Sequence, residues 1–114
     1  MDHVIEIRTY VLKEGMSKQF HQITIERSVP LLLAAGTDVL AYGPSLHSPD
    51  SYLLIRAYMS SAERTQRQNE FYGSDAWNEG PRDAIMACID SYITVVIDAD
   101  HSIVDSLRQL SCPA

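Results

Sequence analysis

Arg8 and Tyr10 in IEIRTYVL, and Arg56 and Tyr58 in YLLIRAYM, set guanidinium and phenol groups on alternate residues of two apolar segments. Alternate residues of a β-strand share a face, so each segment presents a positive charge beside a hydroxyl. A guanidinium takes a carboxylate through two parallel hydrogen bonds, and a phenol ring stacks on flat ligands. The four residues, with Trp77, therefore suit a pocket for an aromatic or carboxylated small molecule. They suit equally an interface network that only sets the register of a dimer. Arg64 and Arg67 stand three apart on a helical segment and share a face, with Glu63 and Glu70 as acidic neighbours. They read as anion capture near Trp77, or as a solvated helix face whose ion pairs contribute roughly 0.2–0.5 kcal/mol each.

The other reactive residue types are dispersed. His3, His21, His47 and His101 include no pair at i,i+3 or i,i+4, so no metal site is legible. His21 follows Phe20 on the flank of an apolar helical stripe. It is a weak catalytic candidate, as a general acid or base, against a structural or surface role. Cys88 in IMACI reads as a small core residue, and Cys112 as a free thiol in the C-terminal tail. There is no G-x-S-x-G elbow, no G-x-G-x-x-G and no P-loop among the five glycines. Hydrolase and nucleotide chemistry are unsupported, and no cofactor is implied.

The 114 residues carry nine Lys and Arg against fifteen Asp and Glu, a net charge of −6. Phosphate neutralisation drives general nucleic-acid binding, so that class of partner is excluded, as is an anionic membrane surface. The longest uncharged apolar run, Val29 to Gly36, falls far short of the ~20 residues that span a bilayer. The N-terminus lacks the basic and apolar regions of a signal peptide. A cytoplasmic protein of one main domain is expected.

Alternation and capping signals organise the chain. A strand is expected over 3–12 and a helix over 17–35, with Ser17 as N-cap, Gly36 beyond its end and a kink near Arg27 caused by Pro30. Short strands follow over 38–43 and 52–59, joined by a Pro/Ser loop. Ser60 and Glu63 form a capping box for a helix closed by Gly73. Asp75 to Trp77 make a short helical turn, and Pro81 opens a helix that leads to a fourth strand over 91–97. The order β-α-β-β-α-β is the ferredoxin-like α+β pattern, an antiparallel sheet with β1 and β3 central and both main helices on one face. It fills residues 1–97. Residues 98–114 form an extra C-terminal helix, expected to dock on a partner subunit.

The alternation leaves two sheet faces to allocate. Ile5, Ile7, Val11, Leu53, Ile55, Met59, Ile93, Val95 and Ile97 are aliphatic and are expected to form the core under the helices. Glu6, Arg8, Tyr10, Tyr52, Leu54, Arg56, Tyr58, Tyr92 and Val96 are too apolar for open solvent and too polar for a dry core. That face is expected to meet a second copy in a homodimeric barrel, with Glu6 as the counter-charge for the arginines.

IEIRTYVLKEG, RSVPLL, YLLIRAYMSSAERTQRQ and DAW resemble the NIPSNAP family of the dimeric α/β-barrel superfamily, over Ile5 to Ile97. The resemblance implies the same fold and a homodimer, and it transfers no catalytic residues. In similar barrels small ligands lie between sheet and helices, one pocket per subunit, or in the barrel. It implies a protein of unknown biochemical activity that binds a small molecule. The superfamily also holds cofactor-independent monooxygenases and isomerases. In that alternative His21 is the base, and Arg8 and Tyr10 polarise an enolate oxygen; a haem ligand at His21 is a remoter variant. A third reading is an interaction module whose terminal helix recruits a partner.

Overall fold

The computed structural model describes residues 3–110. In chain order the elements are β1 (His3–Leu12), α1 (Ser17–Ile23), a π turn (Thr24–Ser28), α2 (Val29–Ala34), β2 (Asp38–Pro44), β3 (Ser51–Tyr58), α3 (Ser61–Tyr72), α4 (Asp75–Asn78), α5 (Arg82–Cys88), β4 (Ile89–Ala99) and α6 (His101–Arg108). The strands form one antiparallel sheet in the order β2-β3-β1-β4. This is the expected ferredoxin-like architecture, with β1 and β3 central. No helix among the described residues is long and apolar enough to cross a membrane.

Local chemistry sets most boundaries. The first helical segment widens into the π turn and resumes at Val29, with Pro30 in the first turn of α2, where its missing N–H is tolerated. The N-cap of α1 is Met16 rather than Ser17, and no side chain caps it. At the other end Gly36 takes φ +84°, which a residue without Cβ adopts freely. Its N–H reaches the Leu33 carbonyl at 3.0 Å, while that of Thr37 reaches Leu32 at 2.9 Å, a Schellman closure. Ser60 Oγ accepts the Glu63 N–H at 3.0 Å and starts α3. Asp100 does the same for α6 through the Ile103 N–H at 2.9 Å.

The allocation of sheet faces is the reverse of the one expected from the sequence. The helices cover the Arg/Tyr face. Tyr10 and Tyr52 pack on Phe20 of α1 with ring centroids 5.2 and 4.8 Å apart. Glu6 and Arg56, each 0% exposed, lie beneath α3. The aliphatic face looks outward, with Ile93 68%, Val95 48% and Ile97 45% exposed. Arg56 and Tyr58 therefore belong to the layer between sheet and helices, not to a layer between two sheets. Alternation establishes which residues share a face; it does not say which face the helices cover. Here the helices decide, because α1, α3 and α4 bring aromatic rings, Arg64 and Gln68 that complement tyrosines and a buried ion cluster.

The outer face is closed in part by α6. Val104, 1% exposed, packs with Ile5, Leu40, Ile55, Ala57 and Ala99. Both Nη atoms of Arg108 bind the Asp38 carboxylate, at 2.7 and 2.9 Å. The terminal helix thus lies on the sheet of its own chain. Cys88 is buried, as expected, and Cys112 lies outside the described residues.

Candidate functional site

The β1–β3 register places Glu6 opposite Arg56 and Tyr10 opposite Tyr52, while the β1–β4 register places Arg8 opposite Thr94 and Tyr10 opposite Tyr92. Glu6, Arg8 and Arg56 reach side chains of α3, while Tyr10 and Tyr52 pack on Phe20 of α1. Along α3, Arg64, Gln68 and Tyr72 recur every four residues and so share the face that meets the sheet.

The Glu6 carboxylate is the hub. Arg56 Nε donates to Oε1 at 3.0 Å, and Arg56 Nη2 donates to the same oxygen. Oε2 accepts from Arg64 Nε at 2.7 Å and Gln68 Nε2 at 2.5 Å, with Arg8 Nη2 3.6 Å away. Burial alone would raise the Glu6 pKa. The Arg56 and Arg8 charges, with hydrogen bonds from Arg56 and Gln68, outweigh it and hold the carboxyl below its ordinary value. Burial opposes the Arg56 charge too, but the surrounding phenols and Glu6 reverse the effect and raise its pKa. Burial likewise pushes Tyr10 up to about 12, so it stays a neutral phenol. One carboxylate thus faces three guanidiniums. The cluster keeps an excess of two positive charges, in surroundings where charge is costly unless paired.

The excess opens onto a cleft of about 310 Å³ between β1, β4 and the α3–α5 side, lined by Arg8, Gln68, Tyr72, Arg82, Met86 and Tyr92 among others. Arg8 lies 5.0 Å from the centroid of the Tyr92 ring and donates from Nε to the Thr94 hydroxyl at 3.1 Å. Tyr10, Tyr72, Trp77 and Ile85 wall the cleft off from an inner chamber of about 30 Å³, room for a single water. Thr24 and Ser28 of the π turn line that chamber, and the buried Ser28 Oγ has no hydrogen-bond partner among the described residues. π turns recur at functional sites.

The residues predicted from sequence divide accordingly. Arg8, Tyr10 and Trp77 line the cleft, and Arg56 and Arg64 bind its carboxylate hub. Tyr58 sits behind the hub, its hydroxyl accepting from Gln68 at 3.2 Å. Arg67 is elsewhere: it pairs with Glu63 at 3.2 Å and donates to the Ala35 carbonyl at the end of α2. His21 binds the Tyr52 hydroxyl through Nδ1 at 2.5 Å, with its pKa lowered by burial. It borders a separate surface depression beside Lys18 and Glu26, not the cleft. Gln68, Tyr72, Arg82 and Tyr92 escaped the sequence reading of the site. The four-residue spacing from Arg64 through Gln68 to Tyr72 was the available signal. No group of three or more His, Cys, Asp or Glu able to hold a metal occurs among the described residues.

Sheet order and helix placement define a ferredoxin-like α+β fold, with the cleft between sheet and helices. A NIPSNAP family protein of Agrobacterium tumefaciens superposes with TM-score 0.80 at 14% identity, over 88% of each chain. An uncharacterized NIPSNAP-like domain protein of Burkholderia xenovorans gives 0.79 at 15% identity, over 88% of this chain and 87% of that one. A Bordetella bronchiseptica structure provisionally assigned as an antibiotic biosynthesis monooxygenase gives 0.70 at 18% identity, over 88% and 99%. At these identities the likeness is one of fold. No family model matches the sequence, and no curated protein matches it.

Proposed function

We propose that this protein is a NIPSNAP-like, cytoplasmic binding protein that holds a small aromatic or carboxylated anion in the cleft beside Arg8. One observation carries the reading: three guanidiniums share a single buried carboxylate at the head of an aromatic-walled cleft. An anion entering there offsets charge that the fold leaves uncompensated, and it meets planar donors in a site partly shielded from water. Tyr10, Trp77 and Tyr92 supply flat apolar walls for the rest of the ligand.

The protein acts as a homodimer through the aliphatic sheet face that α6 leaves open. Ile93, Val95 and Ile97 form part of an apolar surface of the kind that marks an interface, and two such faces stack about 10 Å apart across a two-fold axis. The alternative of a cofactor-independent monooxygenase or isomerase has the fold likeness behind it. Its base, His21, lies away from the cleft, so the binding reading is preferred.

Native mass spectrometry of the freshly purified protein, followed by titration with salicylate, tests the site. The expected result is a dimer that carries or takes up one anion per chain, with uptake lost in Arg8→Gln. Salicylate binding that is equally strong in Arg8→Gln would place the site elsewhere.

A further inference from the structure

A phenol oxygen offers two lone pairs and one proton. Both lone pairs of Tyr72 face cations: Arg56 Nη1 donates to its oxygen at 2.8 Å and Arg8 Nη1 at 3.4 Å. A guanidinium has no acceptor atom, so neither partner can receive the Tyr72 proton, and among the described residues no acceptor for it is present. The ring is well fixed. It meets Phe71 edge-on at 5.0 Å and Trp77 at 5.4 Å, with Arg56 5.8 Å from its centroid. It also stands in the wall shared by the cleft and the inner chamber. The hydroxyl is thus an oriented donor whose acceptor has to arrive through the cleft.

We infer that Tyr72 donates a hydrogen bond to the oxyanion of the bound ligand, and that this contact selects a carboxylate, enolate or phenolate over a neutral group of the same shape. The inference rests on the binding reading above and names the contact and the ligand class. Two cationic donors on the phenol oxygen polarise its O–H bond and strengthen the bond it donates. An anionic oxygen accepts from Tyr72 and Arg8 together. A neutral amide offers a weaker acceptor, and its NH₂ group turned toward Arg8 meets another donor. The site therefore discriminates by repulsion as well as attraction.

Tyr72→Phe keeps the ring and removes only the hydroxyl. Benzoate and benzamide are the probes, titrated by NMR into the full chain of wild type and variant. Wild type is expected to bind benzoate ~10-fold or more tightly than benzamide, and Tyr72→Phe to lose about that factor for benzoate with little change for benzamide, the size of one hydrogen bond to a charged group. A variant that keeps the benzoate preference overturns the role of Tyr72 and leaves the anion site standing. A wild type without any preference overturns the binding reading and this inference with it. Saturating benzoate should also bring out a slowly exchanging, downfield hydroxyl proton of Tyr72 in the wild type, which benzamide should not. Absence of that resonance overturns the inference even if Tyr72→Phe fails to fold.

Discussion

The two faces of the one sheet solve opposite problems. The inner face buries a carboxylate, guanidiniums and phenols, and each charged group there has a named hydrogen-bond partner even though the positive charges outnumber the carboxylate. The outer face is aliphatic, needs no partner atom by atom, and stays partly open beside α6. A polar face must be matched group by group, because an unpartnered buried charge costs several kcal/mol. An aliphatic face needs only area removed from water, which a terminal helix or a second copy supplies equally well. Substitutions on the two faces should therefore fail in different ways.

The largest effect is expected at Glu6. Glu6→Gln leaves Arg56 buried without its counter-charge and three guanidiniums facing one another. Breaking a buried pair from one side costs about 3–5 kcal/mol, so thermal melting should drop by well over ten degrees for a domain this size. Acid should produce the same failure in the wild type. The folded pKa of Glu6 is depressed, so its contribution is present above the ordinary carboxylate range and is lost as pH falls through the lowered folded value. A Glu6→Gln protein that melts like wild type at neutral pH would mean that the cluster is not the keystone of the inner face.

On the outer face Ile93→Asp should do the reverse. The side chain is already 68% exposed in the single chain, so a carboxylate there costs the monomer little. In a sheet-to-sheet dimer it would be buried opposite apolar surface. Sedimentation should show a dimeric wild type and a monomeric variant with nearly unchanged secondary structure. A wild type that sediments as a monomer, or a variant that stays dimeric, would remove the outer face as the interface.

How much of this was legible in the sequence follows from the same contrast. The topology was readable because each element carries its own local signal: the Ser60/Glu63 cap, Gly36 and Gly73 at helix ends, Pro30 at the break, and the alternation in β1 and β3. The membership of each face was readable too, since alternation is strict. Which face lies under the helices was not, because it depends on what α1 and α3 present. The clue lay in residues that look like an ordinary solvated helix face: Arg64, Gln68 and Tyr72 recur at the spacing needed to meet Glu6 and Arg56. His21 illustrates the converse. Its neighbour Phe20 enters the core, but one step along a helix turns the side chain by about 100°, onto Tyr52 instead of the cleft.

The smallest expected effect separates the two arginines that the sequence treats alike. Arg64 puts both Nε and Nη2 on the buried Glu6 carboxylate, whereas Arg67 pairs at the surface with Glu63 and reaches one helix-end carbonyl. Hydrogen bonds to a charged group contribute more than neutral ones, and removing a donor from a buried carboxylate leaves it undersatisfied, so Arg64→Ala should cost about 2 kcal/mol. An exposed i,i+4 pair contributes roughly 0.5 kcal/mol, and screening by salt reduces it further. Arg67→Ala should therefore lower the melting temperature by a few degrees at most, less at high ionic strength, and leave benzoate affinity unchanged. Equal losses for the two variants would mean that Arg64 belongs to the solvated surface of α3. The inner cluster would then hold Glu6 with Arg56 and Arg8 alone, and the excess positive charge at the head of the cleft would shrink by one.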